Sequence, residues 1–270
     1  MKNIIKEGTT PIGVQENGET FCLSPENRSG IMHLLGRAGQ GKSVTLEYII
    51  ISDIHNGRSG MLIDPYGDLI KTVQTYIPVD KASRVVVFES QAGTFDENVA
   101  KFHQEINFEE MNSDAKKFLL CKLDYRTLGA DGARQLGTYL VKQFLEITNG
   151  ENQTLGLDEA HNFVDEKIIE QMEHSKDKGL SCILSDQMSM DYRMDIIMRL
   201  LEAANHIICY YTAPETAGLI NKYHPEMIPS EILALKKFDF MVKINAKTAS
   251  PATMKLRGVF PIPYPQNSPK

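Results

Sequence analysis

The sequence predicts an α/β fold, a mostly parallel sheet flanked by helices on both faces. Three observations predict it. From Ile31 almost to the C-terminus, short apolar runs alternate with amphipathic segments of helical length, as strands joined by crossover helices do. A glycine-rich turn links the apolar run IMHLL directly to the helical stretch SVTLEYIIISDI. Two further apolar runs end in clustered polar residues, LDEAH and LSDQ, and ligands of parallel sheets gather at such strand ends.

The elements follow in order. Apolar runs bounded by polar or turn residues predict strands over 31–35, 60–64, 85–89, 118–123, 154–158, 180–185, 206–211 and 238–244, with a weaker one over 253–259. Helical spacing predicts helices over 42–54, 130–147, 165–174, 192–203, 215–222 and 230–236. Residues 1–30 read as a β-rich or irregular N-terminal arm, and 31–260 as one core domain. Within the core, 91–115 is polar and acidic without a strong period, so it reads as a surface insertion. The tail 261–270, PIPYPQNSPK, is proline-rich and expected to fray. No internal repeat is found.

With 270 residues and 42% hydrophobic content, the chain can bury the core of one large α/β domain. Its apolar runs fall far short of the roughly 20 residues that span a bilayer, and Pro11 and Gly13 interrupt the N-terminus before any leader-like apolar segment forms. Cys22, Cys121, Cys182 and Cys209 are widely spaced with no CxxC, and three of them lie in apolar runs, which suits buried thiols and a cytoplasmic location. No His/Cys cluster has the spacing of a structural zinc site. A net charge of −6 and a pI near 5.7 argue against non-specific coating of a duplex, though not against positive charge confined to the pore loops of a ring.

The stretch LLGRAGQGKSVTLEY fits the phosphate-loop pattern G-x-x-x-x-G-K-[ST] through Gly36, Gly41, Lys42 and Ser43, with strand before and helix after. Glycines let backbone N–H groups from Gly36, Arg37, Ala38, Gly39, Gln40, Gly41, Lys42, Ser43 and Val44 wrap a phosphate chain, and the helix N-terminus adds its positive end. Lys42 would reach the terminal phosphates of ATP, and the Ser43 hydroxyl would ligate Mg²⁺. Taken alone, the same letters also suit a tight strand–helix turn. TLGLDEAHNF delivers adjacent carboxylates at a strand end. Asp158 is suited to the Mg²⁺ shell and Glu159 to general-base activation of water, since strand alternation points them apart. CILSDQMSM places Gln187 where it could sense the terminal phosphate or orient water.

In this order, the residues resemble the FtsK–HerA superfamily of P-loop motors, and most nearly its TraG/TraD-type coupling ATPases of conjugation and type IV secretion. His33 three residues before Gly36, the segment MLIDPYGDLIKTVQTYIP with Tyr66 where the family usually has histidine, RVVVFES, FLLCKLDYRTLGADGARQLGTYLV, LGLDEAHNF, ILSDQ and LEAANHIICYYTAPETAGL carry the likeness. It runs from about Gly13 to Ile244. The resemblance implies a RecA-like ATPase core, ATP and Mg²⁺ as ligands, and a homo-oligomeric ring, typically a hexamer, that passes DNA through its pore. Compact members also include packaging ATPases of membrane-containing viruses, so membrane-associated or capsid proteins are candidate partners.

The chain departs from the family pattern in four ways. The membrane anchor is absent, and the inserted helical domain is missing or reduced to 91–115. Lys176-Asp177 replaces the usual "RK", and Asp186 stands before the glutamine where small or neutral residues are usual. The arginine finger is therefore open among Arg126, Arg134 and Arg193, with Lys176 at the matching position, although a lysine point charge replaces a guanidinium fork poorly. Met188, Met190, Met194 and Met198 lie near helical spacing and are expected in the core, and His33 is expected beneath the loop. Two functions remain: an ATP-hydrolysing DNA translocase of conjugation, packaging or DNA-end processing, or a nucleotide-gated assembly module with slow hydrolysis and a protein partner. A DEAH helicase would need a second RecA-like domain, for which there is no room.

Overall fold

The structure, a computed structural model, describes residues 8–24, 27–108, 110, 116–187, 193–245 and 252–258. The elements run β1 (Thr10–Val14), β2 (Thr20–Leu23), β3 (Gly30–Leu35), α1 (Lys42–His55), β4 (Ser59–Asp64), α2 (Asp68–Thr75), β5 (Val85–Glu89), α3 (Phe95–Glu105), β6 (Phe118–Lys122) and α4 (Tyr125–Ile147). They continue with β7 (Gln153–Asp158), α5 (Glu166–Ser175), β8 (Ser181–Asp186), α6 (Met194–Ala203), β9 (His206–Tyr210), α7 (Pro214–Tyr223), α8 (Pro229–Leu233), β10 (Asp239–Ile244) and β11 (Ala252–Gly258). Among the described residues the strands form one sheet, ordered β2-β1-β11-β10-β9-β3-β8-β7-β4-β6-β5. From β9 to β5 the neighbours are parallel, and from β2 to β10 each pairing is antiparallel, including β10 on β9. This is the α/β class expected from the alternation.

Both faces are covered, which is why the central strands are apolar almost throughout rather than alternating. On one face Ile31, Leu35, Met61, Ile63, Leu155, Leu157, Cys182 and Leu184 pack against the apolar sides of α3 to α8. On the other, Met32, Leu34, Leu62, Ile183 and Ile208 pack against α1 and α2. Cys121, Cys182 and Cys209 are buried as expected, and burial pushes each thiol well above its ordinary range.

Several expectations are corrected. The stretch 91–115 contains a regular helix, α3. Thr94 and Glu97 form a reciprocal capping box at its start, and Phe102 is buried edge-on against Phe88. Its apolar residues are few, so the cap rather than a period marks it in the sequence. Within α4 the non-helical Gly129 (φ 70°, ψ 167°) separates a short first turn, where Asp124 caps the Arg126 N–H, from the long helix, which starts at Ala130 as expected. In α6 the core side is Ile196, Ile197, Leu200 and Leu201, whereas Met194 is half-buried and Met198 exposed, so the methionine spacing does not mark a core stripe. Met188, Met190, Tyr192, residues 1–7 and 111–115 of the two polar segments, and the tail 261–270 lie outside the described residues. No helix among the described residues is long and apolar enough to cross a membrane.

The N-terminal segment is tied to the core by a buried ionic knot. Arg28, 2% exposed, grips the fully buried Asp53 of α1 with two parallel hydrogen bonds of 2.5 and 2.8 Å and also donates to Thr10 of β1. Arg58 lies 3.4 Å from the same carboxylate, and Thr154 of β7 donates to it at 2.7 Å. Burial raises Asp53, but the two guanidinium groups and these hydrogen bonds outweigh it and hold the carboxyl below its ordinary range. One anion thus fastens β1, α1 and β7. Removing its charge strands two buried guanidinium groups. Asp53→Asn is expected to cost about 3–5 kcal/mol of stability by urea denaturation; a loss near zero would show that water replaces the anion.

Candidate functional site

The parallel register of three central strands creates the site. Leu35 at the end of β3 pairs with Asp186 at the end of β8, and Ser185 pairs with Asp158 at the end of β7. The residues that follow, Gly36, Gln187 and Glu159, therefore leave the sheet along one rim. This rim is the carboxyl edge, where parallel sheets bind ligands.

The loop after β3 has the backbone the glycines require. At Gly36 (φ 154°) a Cβ would lie 2.7 Å from Cβ of Tyr210, and at Gly41 (φ 119°) it would lie 3.1 Å from the Phe238 ring. The loop backbone is pinned from β9 and β10: Arg37 N donates to the Tyr211 carbonyl, and Phe238 N donates to the Gln40 carbonyl. Arg37, Ala38, Gly39 and Ser43 are exposed at the mouth, Gln40, Gly41 and Val44 are half-buried, and α1 starts at Lys42. Lys42 is only 5% exposed and turns its ammonium onto the carbonyls of Gly36 (2.9 Å) and Arg37 (3.0 Å). Burial lowers its affinity for protons, partly offset by the nearby Glu159, Asp158 and Asp186 charges.

A cavity of about 330 Å³ opens beside this loop, lined in part by Ser43, Glu47, Asp64, Asp158, Glu159 and Gln187. It holds two kinds of carboxylate. Asp64 is already engaged, accepting from the Tyr66 and Ile70 N–H groups. Asp158 and Glu159 are both pushed upward. Burial, reinforced by Glu159, raises Asp158 to about 7 despite a hydrogen bond from Ser185. Burial and then Asp186 raise Glu159. Glu159 itself sits in the left-handed region (φ 49°, ψ 52°), a costly conformation for a residue with a Cβ, at the turn into the 3₁₀ segment Ala160–Asn162. Gln187 Nε2 donates to Glu159 Oε1 at 2.6 Å, while the buried Oε2 makes no hydrogen bond among the described residues. That oxygen, 3.7 Å from His161 Nδ1, the crowded carboxylates and the Ser43 hydroxyl form an oxygen-rich site short of positive charge, which suits Mg²⁺ and with it a polyphosphate.

The sequence-selected Ser43, Asp158, Glu159 and Gln187 thus meet around one cavity, with Lys42 coupled to them electrostatically. None of the four cations weighed as fingers lines this cavity within one chain: Arg126 is exposed in the first turn of α4, and Arg193 donates to the Val164 carbonyl at 3.2 Å. Arg134 is 46% exposed on α4, 3.7 Å from Asp131 and beside a groove lined by Phe95 and Tyr139. Lys176 follows α5 against Gly30, at the opposite end of β3 from the loop. Sequence reasoning missed Glu47, Asp64 and Tyr66 as cavity residues. Glu47 lies one helical turn beyond Ser43 and was legible from that spacing, whereas Tyr66, 58% exposed and stacked 5.4 Å from Tyr125, stood out in the sequence only as a departure from the family's histidine.

Comparison with known proteins adds the fold. The genome-packaging NTPase B204 of Sulfolobus turreted icosahedral virus 2, in complex with AMP, superposes with a TM-score of 0.52 at 18% identity, covering 87% of this chain and 99% of B204. The bacterial conjugative coupling protein TrwB superposes with a TM-score of 0.66 at 11% identity, covering 98% and 92%. VirB4 of Thermoanaerobacter pseudethanolicus gives 0.65 at 10% identity, covering 96% and 98%. This chain has the RecA-like P-loop ATPase fold. These neighbours are of the kinds that the sequence resembles, and structures of B204 with ATP-γS and of TrwB with ADPNP show nucleotide analogues bound to those proteins. No protein-family model and no curated protein matches the sequence.

Glu47 offers a test of the site's electrostatics. Burial raises its carboxyl to about 7, with Asp158 and Asp64 adding to the shift and a Thr72 hydrogen bond opposing it. The folded chain therefore holds a proton that the unfolded chain releases, and this residue's contribution falls as pH rises through that window. Glu47→Gln mimics the protonated form. It is expected to raise the melting temperature more at pH 8 than at pH 5; equal shifts would show that Glu47 carries no buried charge.

Proposed function

We propose that the chain is an ATPase that works as a homo-oligomeric ring motor translocating DNA, in conjugative coupling or genome packaging. The observation that carries the ATPase reading is the meeting of the glycine loop with Asp158, Glu159 and Gln187 around one cavity at the carboxyl edge of the sheet. The motor reading is supported by the fold shared with packaging and coupling proteins, and by the ordered run of motifs from Gly36 to Gln187.

In this reading the loop N–H groups from Gly36 to Val44 cradle the phosphates, except that of Arg37, which is spent on the Tyr211 carbonyl. Lys42 exchanges its loop carbonyls for phosphate oxygens, since an ammonium with phosphate partners loses less than one desolvated against carbonyls alone. Ser43 and Asp158 would hold Mg²⁺, which supplies charge neutralisation at the phosphates when bound. Glu159, raised by burial, accepts the proton of the attacking water. That water's oxygen bonds to the terminal phosphorus, and the bond to the bridging oxygen breaks. Gln187 holds the free orientation of Glu159 to one side.

One observation favours the second reading, a nucleotide-gated assembly module with slow turnover. The residues lining the cavity include five carboxylates, Glu47, Asp64, Asp68, Asp158 and Glu159, and neither lysine nor arginine. A chain alone would then bind nucleotide yet stabilise transition-state charge poorly. Arg134 or Lys176 of an adjoining copy are the candidates to supply that charge within a ring.

Steady-state ATP turnover with and without DNA separates the readings. The wild type is expected to hydrolyse ATP faster with DNA, Lys42→Ala to abolish turnover, and Glu159→Gln to lower it by roughly 10²–10⁴-fold. Equal turnover with and without DNA would overturn the translocase. ATP-dependent oligomerisation without turnover would establish the assembly module.

A further inference from the structure

Beneath the cavity lies a polar cluster that the hydrolytic reading does not use. His33 and Asp186 share the sheet face that is otherwise built of Ile31, Leu35, Cys182 and Leu184, and both are 0% exposed. Two such polar side chains on an apolar face are tolerable only if each satisfies the other. They do more than that. Asp186 accepts from His33 Nε2 at 2.8 Å through one oxygen. Through the other it accepts from His161, both from ring Nδ1 (2.7 Å) and from the main-chain N–H (2.9 Å). Burial acts to raise this carboxyl, but the hydrogen bonds from His161 and His33 outweigh it and hold it down to about 2. An ionised carboxylate only accepts, so both imidazoles must present N–H to it.

His161 is two residues beyond Glu159, inside the turn whose left-handed entry Glu159 adopts. Asp186 is the residue before Gln187, and Gln187 holds Glu159 Oε1. A single buried anion therefore grips the turn that carries Glu159 and begins the segment that carries Gln187, while His33 anchors it to β3 just below the glycine loop. An interior hydrogen-bonded contact at three points maintains a strained turn that isolated chain would relax.

We propose that Asp186 is a positioning residue for hydrolysis: clamped by His33 and His161, it sets the Glu159 turn and the Gln187 start in one register, and it touches no substrate. The clamp rests on the hydrolytic reading given above. Loss of the clamp lets the Glu159 carboxyl wander while leaving the glycine loop, and so nucleotide binding, in place. A misplacement of about 1 Å at a reacting group costs on the order of 10²-fold in rate.

The test uses the full chain, with ATP turnover, titration of a fluorescent ATP analogue and thermal melting measured on each variant. Asp186→Ala is expected to lower kcat roughly 10- to 100-fold with unchanged analogue affinity. If that variant does not fold, Asp186→Asn, which keeps the shape and one acceptor, carries the same comparison. His161→Asn, whose amide N–H can stand near the position of Nδ1, is expected to keep more turnover than His161→Leu at equal melting temperature. A merely structural role would make both substitutions track stability. Three results would overturn the proposal: an Asp186→Ala chain as fast as the wild type, affinity and turnover lost together, or equal turnover in the two His161 variants. A wild type that binds the analogue but never turns over would remove the hydrolytic reading and the clamp with it; an active wild type with an equally active Asp186→Ala chain would remove the clamp alone.

Discussion

The rest of the structure depends on one register. Parallel pairing of β3, β8 and β7 aligns Leu35 with Asp186 and Ser185 with Asp158. Because side chains alternate along a strand, a slip of one residue would turn His33, Asp186 and the apolar residues between them to the opposite face. That slip would bury charge against α1 and α2 and dissolve the cavity at the same time. The register is held by burial on both faces, with Ile31, Leu35, Leu155, Leu157 and Leu184 on one and Met32, Leu34 and Ile183 on the other. The site and the core are therefore specified by the same constraint.

Electrostatics divide the buried acids by their neighbours. Asp53 and Asp186 are buried completely, yet guanidinium or imidazole partners keep both below the ordinary carboxyl range. Glu47 and Asp158 are half-buried and Glu159 buried; partial desolvation and neighbouring carboxylates raise all three. The first pair belongs to the framework, since its hydrogen-bond capacity is taken up by the fold. The second group is frustrated by the protein alone, which is the condition in which added positive charge is most favourable. The glycine loop beside them has exposed residues, Arg37 to Gly39, and a buried lysine turned onto its own carbonyls. Polyphosphate and cation would relieve both halves together.

Much of the site was legible because its chemistry is local. The G-x-x-x-x-G-K-S spacing, the strand before it and the helix after it lie within about twenty consecutive letters, and LDEAH and LSDQ announce strand ends by a change from apolar to polar. Strand positions were legible for the same reason, since doubly buried strands are apolar runs. Helix α3 was not, because a capping box and two buried residues sustain it rather than a period. The exposure of Met198 was not legible either, since methionine suits either side of a helix and only the packing of Ile196, Ile197, Leu200 and Leu201 selects one.

By itself the sequence determined the α/β class, the glycine loop between strand and helix and the two carboxylate-bearing strand ends, because each is written in short-range pattern. Tertiary structure decided which of those ends are neighbours, through an order, β9-β3-β8-β7-β4, that no local pattern encodes. It also decided that Arg134 and Lys176 stand away from their own chain's cavity, and that His33, His161 and Asp186, drawn from positions 33, 161 and 186, close on one buried charge. An unpaired carboxylate in an apolar interior is too costly to persist, so long-range pairing, invisible residue by residue, became the rule that shaped the site.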